Sequence, residues 1–130
     1  MNYYFISAGI FLFISLLIHT IAGDKDYRAL NPRKQANESD KMFGYWLMGR
    51  GTFQMVSVDL LLTSVFIFLM GINVIPYNEF LSLFIALLYA GYLVFWLLTL
   101  FISKAKGTNY LMQGQWILFL IAFILIMLGL

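Results

Sequence analysis

Asp59 is the residue whose position asks for chemistry. It stands near the middle of an apolar run, Gly51 to Met70, in a chain where only 11% of residues are charged. An acid at bilayer depth is costly, so it pairs with a cation, faces a cavity, or keeps its proton. Those options make Asp59 a candidate proton or cation binder. On a helix, Thr63 follows it by one turn, and Thr52 falls on the same side, while Arg50, Gln54, Ser57 and Ser64 fall roughly opposite. His19, the one histidine, closes the first apolar run, with Ser15 one turn before it. Tyr89, Tyr92, Trp96 and Thr99 repeat at helical spacing on a third run, and Gln113 and Gln115 open a fourth.

Elements long enough to hold these residues follow from composition. Of 130 residues, 62% are apolar and 14 are charged (8 basic and 6 acidic), a balance that a water-solvated surface does not tolerate. Apolar runs of about twenty residues, the length that spans hydrocarbon, occur at 2–22, 52–70, 79–102 and 109–129. The runs are continuous rather than alternating, which argues for helices and against a barrel. The expected fold is an all-α membrane protein: one transmembrane domain over 1–130, with four helices in a compact bundle.

The connections set the orientation. Every basic residue lies in the first connection, 23–51, or in the third: Lys25, Arg28, Arg33, Lys34, Lys41 and Arg50, then Lys104 and Lys106. The positive-inside rule places both connections in the cytoplasm and both chain ends outside, consistent with a bacterial inner membrane. The absence of a basic n-region and of an A-x-A-like site predicts that the first segment is retained. Residues 24–41 carry both charge signs around Asn31-Pro32 and read as a solvated turn region. From Ser39, an expected N-cap, Met42, Phe43, Tyr45, Trp46 and Leu47 give an apolar side for a short interfacial helix. Gly49-Arg50-Gly51 is the expected joint into helix two.

Counted from the cytoplasmic ends, the polar groups gather in the inner half of the membrane. Two readings of Asp59 remain open. In one it ends a cytoplasm-facing recess that binds a proton, ion or small ligand, with His19 and Gln54 near the mouth, Thr63 beside it, and Ser15, Tyr89, Trp96 and Gln113 lining it further out. In the other it is a neutral carboxyl that locks helix two to its neighbours. Helix two, polar on two sides, is expected to be the most enclosed helix or to lie at an oligomer interface, and helix four to be the most lipid-exposed. Ser82, Ala86 and Ala90 form a small-residue seam on helix three.

The chain contains no cysteine, which removes thiolate chemistry. One histidine and one intramembrane acid do not make a metal set, no cofactor is expected, and the interleaved charges carry no nucleic-acid signal. The expected partners are the bilayer and either further copies of the chain or a larger membrane complex. Three functions follow. The first is an ion or small-ligand binder, specifically a proton-coupled transporter acting as an oligomer. The second is an accessory or regulatory subunit docking a partner through Lys25, Arg28, Arg33 and Lys34. The third, with no nucleophile motif to support it, is a lipid-modifying enzyme using His19 and Asp59 as acid and base.

Ile18-His-Thr-Ile-Ala-Gly-Asp24, followed by Leu30-Asn-Pro32 and a helix from Thr52, resembles uncharacterised small four-helix bacterial membrane proteins. There a histidine at the end of helix one precedes glycine and an acid. Gln54 stands where the likeness implies a second histidine. The resemblance implies a fold and no activity.

Overall fold

A computed structural model describes residues 1–34 and 39–130, and within them the chain is helical with no strand. Expectations for residues 35–38 and for the Lys34 side chain lie outside the described residues. Helix α1 runs Tyr3–Ala29, α2 Asp40–Gly71 and α3 Glu79–Ile102, and these three are long and apolar enough to cross a membrane. A short α4, Gly107–Met112, precedes α5, Gln115–Gly129. The expected fourth run is thus broken at residues 113–114, where Gly114 leads into α5.

Each long helix begins on a side-chain cap. The Asn2 side-chain oxygen accepts from the N–H groups of Tyr4 and Phe5 at 3.1 and 3.2 Å. Ser39 Oγ accepts from Met42 N–H at 3.3 Å, as its position predicts, and the Asn78 side chain accepts from Leu81 N–H at 3.0 Å. These caps satisfy donors that the first helical turn leaves free. Asn2 also donates its backbone N–H to Gly71 C=O at 2.8 Å and its side-chain amide to Gly129 C=O at 2.6 Å. One residue therefore ties the start of α1 to the ends of α2 and α5. Beyond α2 and α3 the chain reverses through Asn73 and Lys104, both with positive φ, the left-handed conformation common after a helix end.

Two expectations about the first connection need correction. Helix one does not stop at residue 22: it passes through a π-helical turn, His19–Gly23, and continues as α-helix through Asp24–Ala29. No separate interfacial helix precedes helix two, because residues from Asp40 run without a break into the apolar segment as one helix of 32 residues. At 1.5 Å per residue it is about 48 Å long, well beyond the hydrocarbon thickness. Glycine permits a joint but does not force one. Here the two extensions hold each other, through the ion pair and aromatic contacts described below.

Packing sets the order of the helices. α1 lies against α2 and α5, and α5 lies between α1 and α3, while the backbones of α2 and α3 scarcely approach. Ala122 and Ile126 of α5 are fully buried, with Phe5, Ala8 and Leu12 of α1 and Ala86 and Tyr89 of α3 in the same core. α5 thus packs one side between α1 and α3, while Ile117, Ile121, Ile124, Met127 and Leu128 on its other side are exposed, and α2 buries Ser57, Leu60, Thr63 and Ser64. α1 and α2 meet at glycines. A Cβ on Gly9 would sit 2.6 Å from Phe68 Cβ and 2.9 Å from the Phe68 backbone, and one on Gly71 would sit 2.8 Å from Ile6 N.

Candidate functional site

Where α2 and α3 diverge they leave a lateral groove of about 230 Å³. Its walls are Leu62 and Phe66 from α2 and Leu81, Phe84, Ile85 and Leu88 from α3, and its polar residues are Asp59 and Thr63. The periodicity explains the grouping, since positions 59, 62, 63 and 66 form one stripe of α2, as 81, 84, 85 and 88 do of α3.

Thr63 is already committed. Its hydroxyl donates to the Asp59 backbone carbonyl at 2.7 Å, and Tyr89 Oη lies 2.8 Å from Thr63 Oγ1. With the Thr63 hydrogen used, Tyr89 must be the donor of the second bond. Tyr89 is fully buried, so its hydroxyl has to find a partner. This relay, with the Ser82 Oγ to Met70 Sδ contact at 3.8 Å, joins α2 to α3 at the back of the groove.

The Asp59 carboxyl takes no part in the relay. Its Oδ2 is buried and has no hydrogen-bond partner among the described residues. Such groups are rare in folded proteins because an unsatisfied buried polar atom forfeits its hydration for nothing. Thr63, the partner expected four residues on, bonds the main chain instead.

The other expected residues lie elsewhere. His19 faces α2 from α1: its ring stacks on Phe53 with centroids 3.7 Å apart, and Nε2 donates to Phe53 C=O at 3.0 Å. A carbonyl only accepts, so Nε2 carries hydrogen. Phe53 and Asp59 are six residues apart, which puts them on different faces of α2, and the structure does not bring His19 and Asp59 together. Gln54 is exposed outside the groove. Ser15 is buried and donates to Phe11 C=O at 2.8 Å. Trp96 donates to Gln113 C=O at 3.3 Å at the α3–α4 end of the molecule, and the Gln113 side chain is exposed. Of the expected lining, only Asp59 and Thr63 lie in the groove, with Tyr89 behind it.

A second polar cluster went unpredicted. Where α1 and α2 extend past their apolar segments, Asp24 accepts from Arg28 Nε at 2.9 Å and from Arg50 at 3.1 Å. Trp46 Nε1 donates to Tyr27 C=O at 3.0 Å, the Arg50 guanidinium lies 5.4 Å from the Trp46 ring, and the Arg33 guanidinium lies 3.7 Å from the Phe43 ring. Tyr27 also packs on Phe53. The sequence does carry the signal, in aromatics at 43, 46 and 53 with Arg50 at helical spacing, opposite an acid that follows the first apolar run. Of the four residues expected to dock a partner, Lys25, Arg28 and Arg33 are exposed on this paired extension.

No protein-family model, curated protein or solved structure matches the chain.

Proposed function

We propose that this membrane protein binds a small ligand or ion at Asp59 and exchanges it for a proton, with the groove between α2 and α3 as the binding site. The observation that carries the proposal is the buried, unpartnered Asp59 Oδ2. A carboxyl in an apolar wall with no cation at hand keeps its proton, and it offers an incoming group the hydrogen-bonding capacity that the chain leaves unused. Leu62, Phe66 and Phe84 of the groove wall are exposed on the outside of the helices, which supports access from the lipid phase in place of the cytoplasm-facing recess expected from the sequence.

In this proposal the chain crosses the membrane four times, α4 and α5 together making the last crossing, as a compact bundle resembling the small four-helix bacterial membrane proteins. The charge asymmetry of the connections supports both ends outside and a bacterial inner membrane as its location. Transport is the specific form of the proposal, and it involves more than one copy. The exposed flank of α2 around Gln54 and Leu61, away from the groove, offers a surface for a neighbouring copy or subunit to cover. The accessory-subunit alternative draws its support from exposed Lys25, Arg28 and Arg33 on the paired extension. The enzyme alternative has little support, because its acid and base lie on different helix faces.

The proposal is tested by carbodiimide modification in proteoliposomes, read by mass spectrometry of the Asp59 peptide. Dicyclohexylcarbodiimide, which partitions into lipid and attacks protonated carboxyls, is expected to modify Asp59, and a water-soluble carbodiimide is expected to leave it intact. An Asp59 that resists both reagents, or reacts only with the water-soluble one, refutes the lateral site.

A further inference from the structure

The groove also restricts what its ligand can be, and on the strength of the reading above we infer that Asp59 receives a small organic cation, an alkyl- or arylammonium, entering sideways from the bilayer. Three features of the groove select that class. The first is charge. Asp59 supplies an acid, while Arg50 and Arg28 are held on Asp24 and the described lysines lie in the charged connections. Among the described residues no cation competes for the carboxyl.

The second is the poverty of other ligands. A metal or alkali ion that sheds its water needs several oxygen donors, and among the described residues Thr63 is the only other polar one in the lining. Its hydroxyl is occupied on both sides, donating to Asp59 C=O and receiving from Tyr89. An ammonium with organic substituents needs no such cage, because its positive charge requires one counter-charge and its substituents require apolar surface. Leu62, Phe66, Leu81, Phe84, Ile85 and Leu88 supply that surface, and the phenyl faces add attraction for a cation. The third is size. At about 230 Å³ the space lies below the range of drug-sized pockets, roughly 300 to 1,000 Å³, which favours a compact cation with one ring or short alkyl arms.

Binding is an exchange. The ammonium forms an ion pair with the carboxylate, and the O–H bond of the neutral acid breaks, releasing its proton to water. Charge in the groove stays balanced, one cation entering for one proton leaving. A site of this kind couples the movement of the cation to that of a proton whenever the groove faces alternate sides.

The test uses the full chain in a non-ionic detergent, with benzyltrimethylammonium as probe and neopentylbenzene, the same shape with carbon in place of the charged nitrogen, as control. The expected result is that the cation binds at least about tenfold more tightly than its neutral isostere, a difference of one decade in the dissociation constant, and releases one proton per molecule bound. Asp59→Asn should remove both the preference and the proton release. Protection of Asp59 from dicyclohexylcarbodiimide by the cation, read in the unmutated protein, gives the same answer if the variant fails to fold. Equal binding of cation and isostere, or labelling that the cation leaves unchanged, overturns the inference. In that case a labelled Asp59 leaves the lateral proton site standing, whereas an unlabelled Asp59 removes the site itself.

Discussion

Replacing Asp59 with leucine separates a binding group from a structural one, because the two roles predict opposite signs. In the folded chain Oδ2 is buried and unpartnered, and a polar atom in that condition costs about 1–3 kcal/mol relative to a satisfied or apolar replacement. Leucine removes the orphan, and the groove of about 230 Å³ accepts its methyl groups against Leu62, Phe66 and Ile85 without displacing a helix. The Thr63 to Tyr89 relay survives, since it uses the Asp59 main chain and not its carboxyl. The unliganded protein should therefore gain about 1–3 kcal/mol, a shift of roughly 5- to 150-fold in the unfolding equilibrium, while losing its cation preference. A reversible unfolding titration with dodecyl sulfate in mixed micelles, followed by the fluorescence of Trp46, Trp96 and Trp116, reads the change. A loss of stability of similar size would refute the reasoning, because it would mean that the carboxyl makes a bond that holds α2 to a neighbour.

Other substitutions probe the elements that shape the groove. Tyr89→Phe deletes the donor to Thr63 and is expected to cost about 0.6 to 1.5 kcal/mol, measured by the same titration, with Asp59 labelling retained. Gly9→Ala places a methyl 2.9 Å from the Phe68 backbone, so α1 and α2 must separate; a destabilisation of about 1–3 kcal/mol is expected, and an unchanged midpoint would show that the helices are not so close. Arg50→Ala frees Asp24 from its less exposed partner and should cost no more than about 1 kcal/mol while increasing amide hydrogen exchange in residues 40–50. His19→Phe keeps the stack on Phe53 but loses the bond to its carbonyl, so cation binding at Asp59 is expected to be unaffected; a weakened site would show that the two faces of α2 communicate.

Much of the architecture was legible because it rests on local rules. The apolar runs announced four helices, three of which are of membrane-spanning length, Ser39 announced a helix start, though of a separate interfacial helix, and the seam of Ser82 and Ala86 marked a buried face of α3. What the sequence concealed came from packing between elements. Gly49-Arg50-Gly51 permits a joint, and only the contacts of Arg50 with Asp24, Trp46 with Tyr27 and Phe43 with Arg33 explain why the helix continues unbroken there. Side-by-side order was equally hidden: a helix that is apolar all round does not say which side packs, and α5 buries Ala122 and Ile126 while leaving Ile117, Ile124 and Leu128 exposed. For the site, helical phase put Thr63 beside Asp59, whereas Gln54, expected near the mouth of the recess, lies outside the groove. Phase did not reveal that Thr63 turns its hydroxyl to the main chain, which is what leaves the carboxyl alone.

Infrared difference spectroscopy of lipid-reconstituted protein, wild type minus Asp59→Asn, observes that carboxyl directly. A carboxylic acid without a hydrogen-bond partner absorbs at the high-frequency end of the carboxyl C=O region. The expected spectrum contains one such band, replaced by carboxylate bands when benzyltrimethylammonium is added. A spectrum with no free-acid band, showing instead a bonded acid or a carboxylate before any ligand is present, would contradict the account of Asp59 as an unpartnered group awaiting a cation.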